Sequence, residues 1–515
     1  MTLRVRWLGT VRYRDAHALQ QGLFGESADD HLLLLEHPHV YTLGVRADEG
    51  NVLRPPHEVG AELVRTDRGG DVTYHGPGQL VGYPILTVAG GGRLADTVAY
   101  VRSVEQTVID ALGDLGMAAG REDRYPGVWI DGRKVCAVGV KLTRGRTMHG
   151  FALNVDPDLS MFGHIVPCGI ADKPVTSLRQ EGFSGTMADV VDAITARAVD
   201  RWGSSGWDRQ DVSSFDTAVQ LRRPEVSVQL TTRKPEWLRT KVKTEPQFLE
   251  LKRTMRDLSL VTVCEEAGCP NIFECWADGT ATFMINGERC TRACGFCLVD
   301  TRHPLPLDLD EPQRVAEAVE RMDLAHAVVT AVARDDLADG GAAAFAATID
   351  AIRLRTPRTR VEVLIPDCKG DPASLATIFD ARPDVLNHNL ETVARLQRAV
   401  RPNAGYARSL AVLARAKAAG LVTKSGIILG MGETDDEVLA ALADLRAVGV
   451  DIVTIGQYLR PSAQHLPVAR WVEPATFERL AEAGRALGIG HVEASPLTRS
   501  SYHARESAAG VVAQH

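Results

Sequence analysis

The stretch that decides the fold of the second half of the chain is TATFMINGERCTRACGFC, residues 280–297. It opens with apolar and β-branched residues, typical of a buried strand, and ends in three cysteines. Five similar runs follow, separated by stretches of helical periodicity; they lie at 326–332, 361–366, 384–390, 425–431 and 450–456. Strands that alternate with helices pair in parallel, with crossovers of one hand. The pattern predicts an open or partial (β/α)6 barrel with its chemistry at the C-terminal ends of the strands.

The front of the chain predicts a separate α/β domain. Strand-like runs lie at 31–37, 80–88 and 151–155. They alternate with amphipathic helical stretches at 93–116 and 187–202. Asp131-Gly132 lies between two alternating runs, which is a strong hairpin signal. Residues 206–231 lose this periodicity and gain serine, aspartate and arginine, as linkers do. We therefore expect a domain at 1–205, a linker at 206–231 and a second domain at 232–515.

Composition and charge restrict the class of protein. The 515 residues are too many for one ordinary core, so two or three domains are expected. The net charge of −8 gives no sign of the basic domain that nucleic-acid binding usually requires. No apolar run approaches the roughly 18 residues that span a bilayer, and the first residues lack the apolar segment of a secretory signal. We expect a cytoplasmic protein that binds neither nucleic acid nor membranes.

Cysteines are concentrated in one segment of the second half. Six of the nine lie at 264, 269, 275, 290, 294 and 297. An odd total argues against a disulfide framework and favours metal-binding or catalytic thiols. Cys290, Cys294 and Cys297, spaced C-x3-C-x2-C, would leave one iron of a cluster without a protein ligand, and a catalytic metal needs such an open position. A zinc site is the alternative, although zinc usually requires a fourth Cys or His nearby.

These motifs resemble a known family. The C-x3-C-x2-C spacing is the signature of radical S-adenosylmethionine enzymes. Cys264, Cys269 and Cys275, spaced C-x4-C-x5-C, together with RSSYHA at 499–504, resemble lipoyl synthase. The resemblance covers residues 232–504. It departs at Ala331 and Ala333, where the family usually carries serine and aspartate.

The resemblance implies two [4Fe–4S] clusters and S-adenosyl-L-methionine as cofactors. One cluster, held by Cys290, Cys294 and Cys297, would bind S-adenosylmethionine. The other, an auxiliary cluster held by Cys264, Cys269, Cys275 and Ser501, would donate sulfur to C6 and C8 of a protein-bound octanoyl chain. Those carbons carry unactivated C–H bonds, which no side-chain acid or base can break, so a cofactor radical is required. An electron donor such as ferredoxin or flavodoxin is implied as a partner.

The front half resembles a second family. RGGDVTYHGPGQL at 68–80, GRKVCAVGVKLTRGRTMHGFALNV at 132–155 and IVPCGI at 165–170 occur in the order found in octanoyl-(acyl carrier protein):protein octanoyltransferase. The fold of that enzyme is shared with biotin and lipoate ligases. The resemblance implies that Cys168 is the acyl-thioester nucleophile and that Lys134 lowers its pKa. A free thiol with a pKa of ~8.5 is only about 3% thiolate at pH 7, so a neighbouring ammonium would make the attacking form available.

The same resemblance implies a set of substrate-contacting residues. They are Arg68, Gly69, Gly70, Asp71, Val72, Thr73, Tyr74, His75, Ala137, Val138, Gly139, Gly150, Phe151 and Ala152. An eight-carbon chain needs an apolar slot, since each buried methylene contributes ~0.8 kcal/mol.

The two halves together predict an enzyme that assembles a protein-bound lipoyl group. Octanoyl-acyl carrier protein would be the donor. Lipoyl domains of 2-oxoacid dehydrogenase complexes, or the H protein of glycine cleavage, would be the acceptors. One alternative is that only the synthase half is active and the front half is a docking module, although such a module needs neither Cys168 nor Lys134. A different sulfur-inserting enzyme, such as biotin synthase, is disfavoured by the motif at 264–275 and by Ser501.

Overall fold

The computed structural model describes residues 1–88, 94–167, 173–213, 234–238, 253, 255–258, 260–262 and 280–512. The chain divides into a front unit, Met1–Ala218, and a rear unit, Val219–His515. Within the described ranges, no helix is long and apolar enough to cross a membrane.

The front unit is built on a large mixed sheet. Its strands are β1 (Leu3–Thr10), β2 (Asp30–Glu36), β3 (Val40–Leu43), β4 (Glu62–Arg65), β5 (Val72–His75), β6 (Gln79–Ile85), β7 (Val128–Ile130), β8 (Arg133–Thr143), β9 (Arg146–Asn154) and β10 (Trp207–Asp211). Its helices are α1 (Tyr13–Glu26), α2 (Leu94–Asp114) and α3 (Met187–Trp202), with short 3₁₀ turns at 49–51, 56–59 and 159–164. The large sheet has the order β10-β1-β2-β6-β9-β8-β7, and a small sheet has the order β4-β3-β5. The strands predicted at 31–37, 80–88 and 151–155 are confirmed as neighbours in the large sheet.

Local sequence explains where these elements turn and begin. Asp131 and Gly132 join β7 to β8 with φ angles of 46° and 74°, the positive values that a two-residue hairpin requires. α3 begins at a capping box, because Thr186 Oγ1 accepts the N–H of Asp189 at 3.3 Å and the Asp189 carboxylate accepts the N–H of Thr186 at 2.7 Å. The predicted hairpin and both predicted helices are confirmed.

The start of the segment predicted as a linker differs from the expectation. Trp207–Asp211 is the edge strand β10, parallel to β1, and so belongs to the front sheet. Asp208 pairs with Arg4 at 3.2 Å and with Arg6 at 2.8 Å. These ion pairs explain why a charged segment without apolar alternation joins the sheet. Residues 214–231 lie outside the described residues, and the domain limits at 205 and 232 stay predictions.

The rear unit is an open parallel sheet with helical crossovers. Its strands are β11 (Val261–Thr262), β12 (Thr280–Ile285), β13 (His326–Ala331), β14 (Arg360–Leu364), β15 (Val385–Asn387), β16 (Thr423–Leu429), β17 (Ile452–Gln457) and β18 (His491–Ala494). Its helices are α4 (Glu311–Arg321), α5 (Ala342–Arg355), α6 (Pro372–Asp380), α7 (Gln397–Val400), α8 (Tyr406–Ala418), α9 (Asp435–Ala447), α10 (Pro474–Ala486) and α11 (Ala504–Val512), with 3₁₀ turns at 236–238, 368–370 and 394–396. The strands lie in chain order from β11 to β18, and all neighbours from β12 onward are parallel. The six predicted strands are confirmed, and β18 adds a seventh parallel strand.

Side-chain alternation separates the core of the rear unit from its cavity. Phe283 and Ile285 of β12 pack with Val329 of β13 in the apolar core. Thr282 and Met284, which alternate with them, line a cavity on the other side of the sheet. The loop that follows β12 therefore delivers its cysteines to the cavity side.

Candidate functional site

A narrow cavity in the front unit collects most of the residues predicted to contact substrate. It lies between the loop that ends at Gly70 and the paired strands β8 and β9, and its volume is about 50 Å³. The predicted residues that line it are Arg68, Gly69, Gly70, Thr73, His75, Ala137, Val138, Gly139, Gly150, Phe151 and Ala152.

Three other predicted residues are placed elsewhere. The carboxylate of Asp71 accepts a hydrogen bond from Asn51 Nδ2 at 2.5 Å. Val72 is buried in a small apolar cluster behind the cavity, and the hydroxyl of Tyr74 bonds His39 Nδ1 at 2.7 Å. These residues support the loop and do not border the cavity.

Glycines give the cavity its narrow shape. A Cβ atom on Gly82 would lie 2.1 Å from the ring of Phe151, and one on Gly150 would lie 2.2 Å from the carbonyl oxygen of Gly82. A Cβ on Gly139, opposite Gly150 in the ladder, would lie 3.1 Å from the carbonyl oxygen of Gly69. Since glycine alone permits such approaches, the glycine-rich motifs form a slot walled largely by backbone.

Lys134 is held at one end of strand β8. Its Nζ lies 4.7 Å from the centroid of the Trp129 ring, a cation–π distance. Its backbone N–H donates to the carbonyl of Pro174 at 2.9 Å, and its own carbonyl accepts from the N–H of Thr176 at 2.9 Å. Cys168, predicted as the nucleophile, lies outside the described residues. Pro174 and Thr176, which bond the backbone of Lys134, lie six and eight residues after Cys168.

The sequence did not single out four further residues that line the slot, which are Tyr13, Val81, Tyr83 and His149. Burial lowers the pKa of His149, and the hydrogen bond to Asp67 opposes that shift. His149 has a φ of 58° inside strand β9, a strained conformation for a non-glycine residue and typical of functional sites. The sequence signal that could have pointed to His149 is a histidine directly before a glycine inside a strand.

The three cysteines of the rear unit lie on a loop that is fixed by backbone bonds. The N–H of Cys290 donates to the carbonyl of Asp300 at 2.8 Å, and the N–H of Thr291 donates to the carbonyl of Ala333 at 2.9 Å. The sulfur of Cys290 accepts from the N–H groups of Ala333 at 3.3 Å and Arg292 at 3.4 Å. The loop thus holds the Cys290 sulfur in place through two backbone hydrogen bonds.

The side chain of Arg292 anchors the same loop to two carboxylates. It donates to both carboxylate oxygens of Asp335 at 2.7 Å and to Asp367 at 2.6 Å. Burial lowers the pKa of Arg292, but the two carboxylates raise it more, so the guanidinium stays charged. Paired charges of this kind hold a loop rigidly, because removing either partner leaves a buried charge.

The cysteines and the C-terminal serine face one cavity of about 340 Å³. Its lining includes the predicted residues Cys290, Cys294, Cys297 and Ser501. Asn389 and Glu391, after β15, also line it, and Asn389 Nδ2 donates to Ser500 Oγ at 2.7 Å. This bond connects the C-terminal motif to the sheet.

The donor set fits an iron–sulfur cluster. Burial raises the pKa of Cys294, and it raises that of Cys297 to about 11. Thiols in such an environment ionise only when a cation compensates their charge, so the cavity suits soft sulfur ligands around a metal. Cys264, Cys269 and Cys275 lie outside the described residues, and their predicted role as auxiliary-cluster ligands stays a prediction.

Family models match both halves of the chain. Residues 12–198 match the lipoyl protein ligase A/B catalytic domain. Residues 284–445 match the radical SAM superfamily, and residues 205–269 match the N-terminal domain of lipoyl synthase of that superfamily.

Curated relatives match the second half over most of their own length. A lipoyl synthase of Rubrobacter xylanophilus is 58% identical over 275 residues, which are 53% of this chain and 86% of the relative. A lipoyl synthase of Mycobacterium tuberculosis is 57% identical over 272 residues, which are 53% of this chain and 88% of the relative.

Solved structures match each half at low identity. A bipartite lipoate protein ligase from Thermoplasma acidophilum shares 17% identity over 41% of this chain and 86% of that chain, with a TM-score of 0.33. Methylornithine synthase shares 14% identity over 48% of this chain and 82% of that chain, also with a TM-score of 0.33.

Proposed function

The chain belongs to the lipoyl synthase family, and from that premise we propose that it is a bifunctional enzyme of lipoate biosynthesis. The front unit transfers octanoyl from octanoyl-acyl carrier protein to a lysine of a lipoyl domain, in a 2-oxoacid dehydrogenase complex or in the glycine cleavage H protein. The rear unit then adds sulfur at C6 and C8 of that octanoyl chain, with ferredoxin or flavodoxin as electron donor.

One observation carries the proposal, which is that a single chain holds cavities suited to two consecutive reactions. The front slot is narrow and walled by glycine backbone, and the buried Lys134 lies on strand β8, which borders it. The rear cavity is wider and lined by three thiols. The first would take a thin acyl chain and the second a metal cluster with its substrates, so the product of one site is the substrate of the other.

In the transferase step, the Cys168 thiolate attacks the carbonyl carbon of the carrier thioester. The acyl group moves to the Cys168 sulfur, and the carrier leaves as a thiol that takes the ammonium proton of Lys134. The lysine amine of the lipoyl domain then attacks the new thioester, forming an amide and releasing the Cys168 thiolate. Lys134 stabilises the thiolate as an ammonium and accepts a proton from the incoming amine once neutral. Support comes from Pro174 and Thr176, which follow Cys168 and bond the backbone of Lys134.

In the synthase step, the chain's residues hold the cofactors and exclude water. Cys290, Cys294 and Cys297 would bind one [4Fe–4S] cluster, and Cys264, Cys269, Cys275 and Ser501 the other. When bound, the first cluster with S-adenosylmethionine supplies a radical able to break unactivated C–H bonds, and the second supplies sulfur. Backbone N–H groups of Arg292 and Ala333 donate to Cys290 Sγ and fix its position. Apolar Val328, Leu364 and Ile428 line the same cavity and keep it dry.

The proposal is tested by mass spectrometry of a lipoyl domain incubated with the anaerobically reconstituted protein, octanoyl-acyl carrier protein, S-adenosylmethionine and a reductant. We expect first the octanoylated and then the lipoylated domain. Lys134→Ala should abolish the first product from octanoyl-acyl carrier protein but still allow lipoylation of a pre-octanoylated domain. Lys173→Ala is the matched control, because its Nζ also lies near Trp129, at 5.9 Å. Equal loss or equal retention of transfer in the two variants would contradict the role of Lys134.

A further inference from the structure

The slot of the front unit changes character along its length. Strands β8, β9 and β6 run side by side, with Ala137 opposite Ala152 and Ala152 opposite Val81. Further along these strands, Val140 lies opposite His149, and Tyr83 follows Val81 on the same face of β6. All but Val140 of these residues line the slot. One end is therefore bordered by small apolar side chains, and the other by large rings.

The ring-lined end lies away from Lys134. Lys134 and Val140 are six residues apart on β8, which corresponds to about 20 Å at the rise of an extended strand. Ala137 and Val140 are three residues apart, or about 10 Å. An extended eight-carbon acyl chain, with seven C–C bonds of ~1.5 Å in zigzag, spans about 9 Å. The slot between Ala137 and His149 thus has the length of an octanoyl chain.

Three rings at that end, those of Tyr13, Tyr83 and His149, form what we call the end wall. The ring of His75, which also lines the slot, lies 6.2 Å from that of Tyr13. His149 and Tyr83 meet edge to face, with their centroids 6.4 Å apart. The hydroxyl of Tyr83 bonds His37 Nε2 at 2.7 Å, and His37 Nδ1 donates to the carbonyl of Val11 at 2.6 Å. Tyr13 lies 5.3 Å from His37 by ring centroids. Each ring is packed against another, so the wall can retreat only if several side chains move together.

His149 is further fixed through a carboxylate. Its Nε2 bonds Asp67 Oδ1 at 2.8 Å, and the same carboxylate accepts from Lys141 Nζ at 2.6 Å and bonds His17 Nε2 at 3.1 Å. The backbone N–H of His149 donates to Gln20 Oε1 at 2.8 Å. His17, Asp67 and His149 also have the spacing of metal ligands. The ammonium of Lys141 on Asp67 favours a hydrogen-bonded network over a cation at this point.

The end wall also holds a buried polar atom. With Asp67 as its acceptor, His149 Nε2 carries the proton, so Nδ1 presents a lone pair. Nδ1 is buried and has no hydrogen-bond partner among the residues that the structure describes. A chain longer than the slot would press methylene groups onto rings that are packed against one another. This packing opposes long chains and does not affect a chain that ends before the wall.

We propose that Tyr13, Tyr83 and His149 set the length of the acyl chain that the front unit accepts, as a wall at the end of its slot. The inference rests on the proposed acyl transfer and adds the residues that determine its specificity. Acyl chains of eight carbons match the distance from Ala137 to the wall, whereas chains of ten or twelve carbons exceed it.

The test compares transfer of eight- and twelve-carbon acyl groups from their carrier-protein thioesters to a lipoyl domain by the full-length protein. His149→Gly removes the ring and suits the positive φ of this position. We expect the ratio of kcat/KM for twelve over eight carbons to rise roughly tenfold or more, mainly through KM for the long chain. His57→Ala, at an exposed histidine of the same unit, should leave the ratio unchanged. Tyr83→Ala should raise the ratio in the same direction and serves if His149→Gly does not fold.

An unchanged ratio in a folded His149→Gly or Tyr83→Ala protein would overturn the proposal. So would zinc that copurifies with the wild type and is lost with Asp67→Asn, because the network would then be a metal site. If the wild type transfers neither acyl group, the proposed transferase function fails. Calorimetric binding of octanoate and dodecanoate to the same variants then decides the role of the wall by the same ratio.

Discussion

Lys424→Met removes one partner of an ion pair that is buried inside the rear sheet. Lys424 on β16 and Glu362 on β14 are both fully buried, and Lys424 Nζ lies 2.9 Å from Glu362 Oε1. His326 Nε2 lies 3.4 Å from the other carboxylate oxygen, and Asn387 Nδ2 donates to Oε1 at 3.4 Å. The substitution leaves a carboxylate that no ammonium compensates and that water does not reach.

The expected loss of stability follows from the burial of this ion pair. Removing one partner of a buried ion pair costs about 3–5 kcal/mol, because the remaining charge stays desolvated. Replacing both partners by apolar residues is often close to neutral, so Lys424→Met combined with Glu362→Leu should recover most of the loss. The matched control is Arg355→Met, which breaks the exposed pair of Arg355 with Glu320 at 2.8 Å. An exposed pair contributes about 0–1 kcal/mol.

Hydrogen exchange of the full-length protein, followed by mass spectrometry on peptides that cover β14 and β16, measures the local free energy of opening. The wild type, Lys424→Met, Glu362→Leu and the double variant complete the cycle. The reasoning is refuted if Lys424→Met changes the opening free energy no more than Arg355→Met does. It is also refuted if the double variant is as unstable as Lys424→Met alone.

Acid provides an independent readout of the same pair. Burial raises the pKa of Glu362, but Lys424 and His326 lower it more, to about 2. In the wild type the stabilisation that ionised Glu362 provides is present above the ordinary pKa of about 4.3 and is lost as the pH falls toward 2. In Lys424→Met the pKa of Glu362 rises above its ordinary value, and a protonated carboxyl is tolerated in the core. The deficit of the variant should therefore shrink as the pH is lowered from 7 to 5.

Further predictions concern the proposed catalytic and cluster-binding cysteines and the front core. Cys168→Ser should abolish octanoyl transfer and leave sulfur insertion on a pre-octanoylated domain intact, as mass spectrometry of the acceptor would show. Cys290→Ala should prevent cleavage of S-adenosylmethionine. Cys269→Ala should spare cleavage but block sulfur insertion, and iron analysis should find two clusters in the wild type. Burial lowers the pKa of His37 to about 4, against the hydrogen bond to Val11, so its contribution to stability is full above about pH 6.5 and is lost as the pH falls toward 4. Urea unfolding should show a loss of up to about 3 kcal/mol over that window, and a smaller one in His37→Phe.

The order of strands in the rear unit was predictable because each strand is a short apolar run between helices. In such a sheet, chain order and spatial order coincide, and handedness leaves one arrangement. β18 was missed because His491–Ala494 has only four residues and little apolar content. β10 was missed for a different reason. Its pairing depends on ion pairs to Arg4 and Arg6, which no local pattern shows.

The front slot was predictable only in part. Its glycines and Arg68 belong to quoted motifs, whereas Tyr13 and Tyr83 come from a helix and a strand whose local sequences read as ordinary core. They reach the slot because β6 lies beside β9 and α1 packs across both strands. A residue whose role depends on such long-range packing carries no signal in its own neighbourhood.

Position 333 shows how a departure from a family pattern can be tolerated. The resemblance to lipoyl synthase leads us to expect aspartate at position 333, next to the loop that holds the cysteines, where this chain has alanine. Its backbone provides the contacts seen here, because its N–H donates to Cys290 Sγ at 3.3 Å and its carbonyl accepts from the N–H and the hydroxyl of Thr291, each at 2.9 Å. None of these bonds depends on the side chain. The loop that carries Cys290 therefore keeps its attachment to the end of β13 with any residue other than proline at position 333, and the missing carboxylate leaves the hydrogen bond to Cys290 Sγ in place.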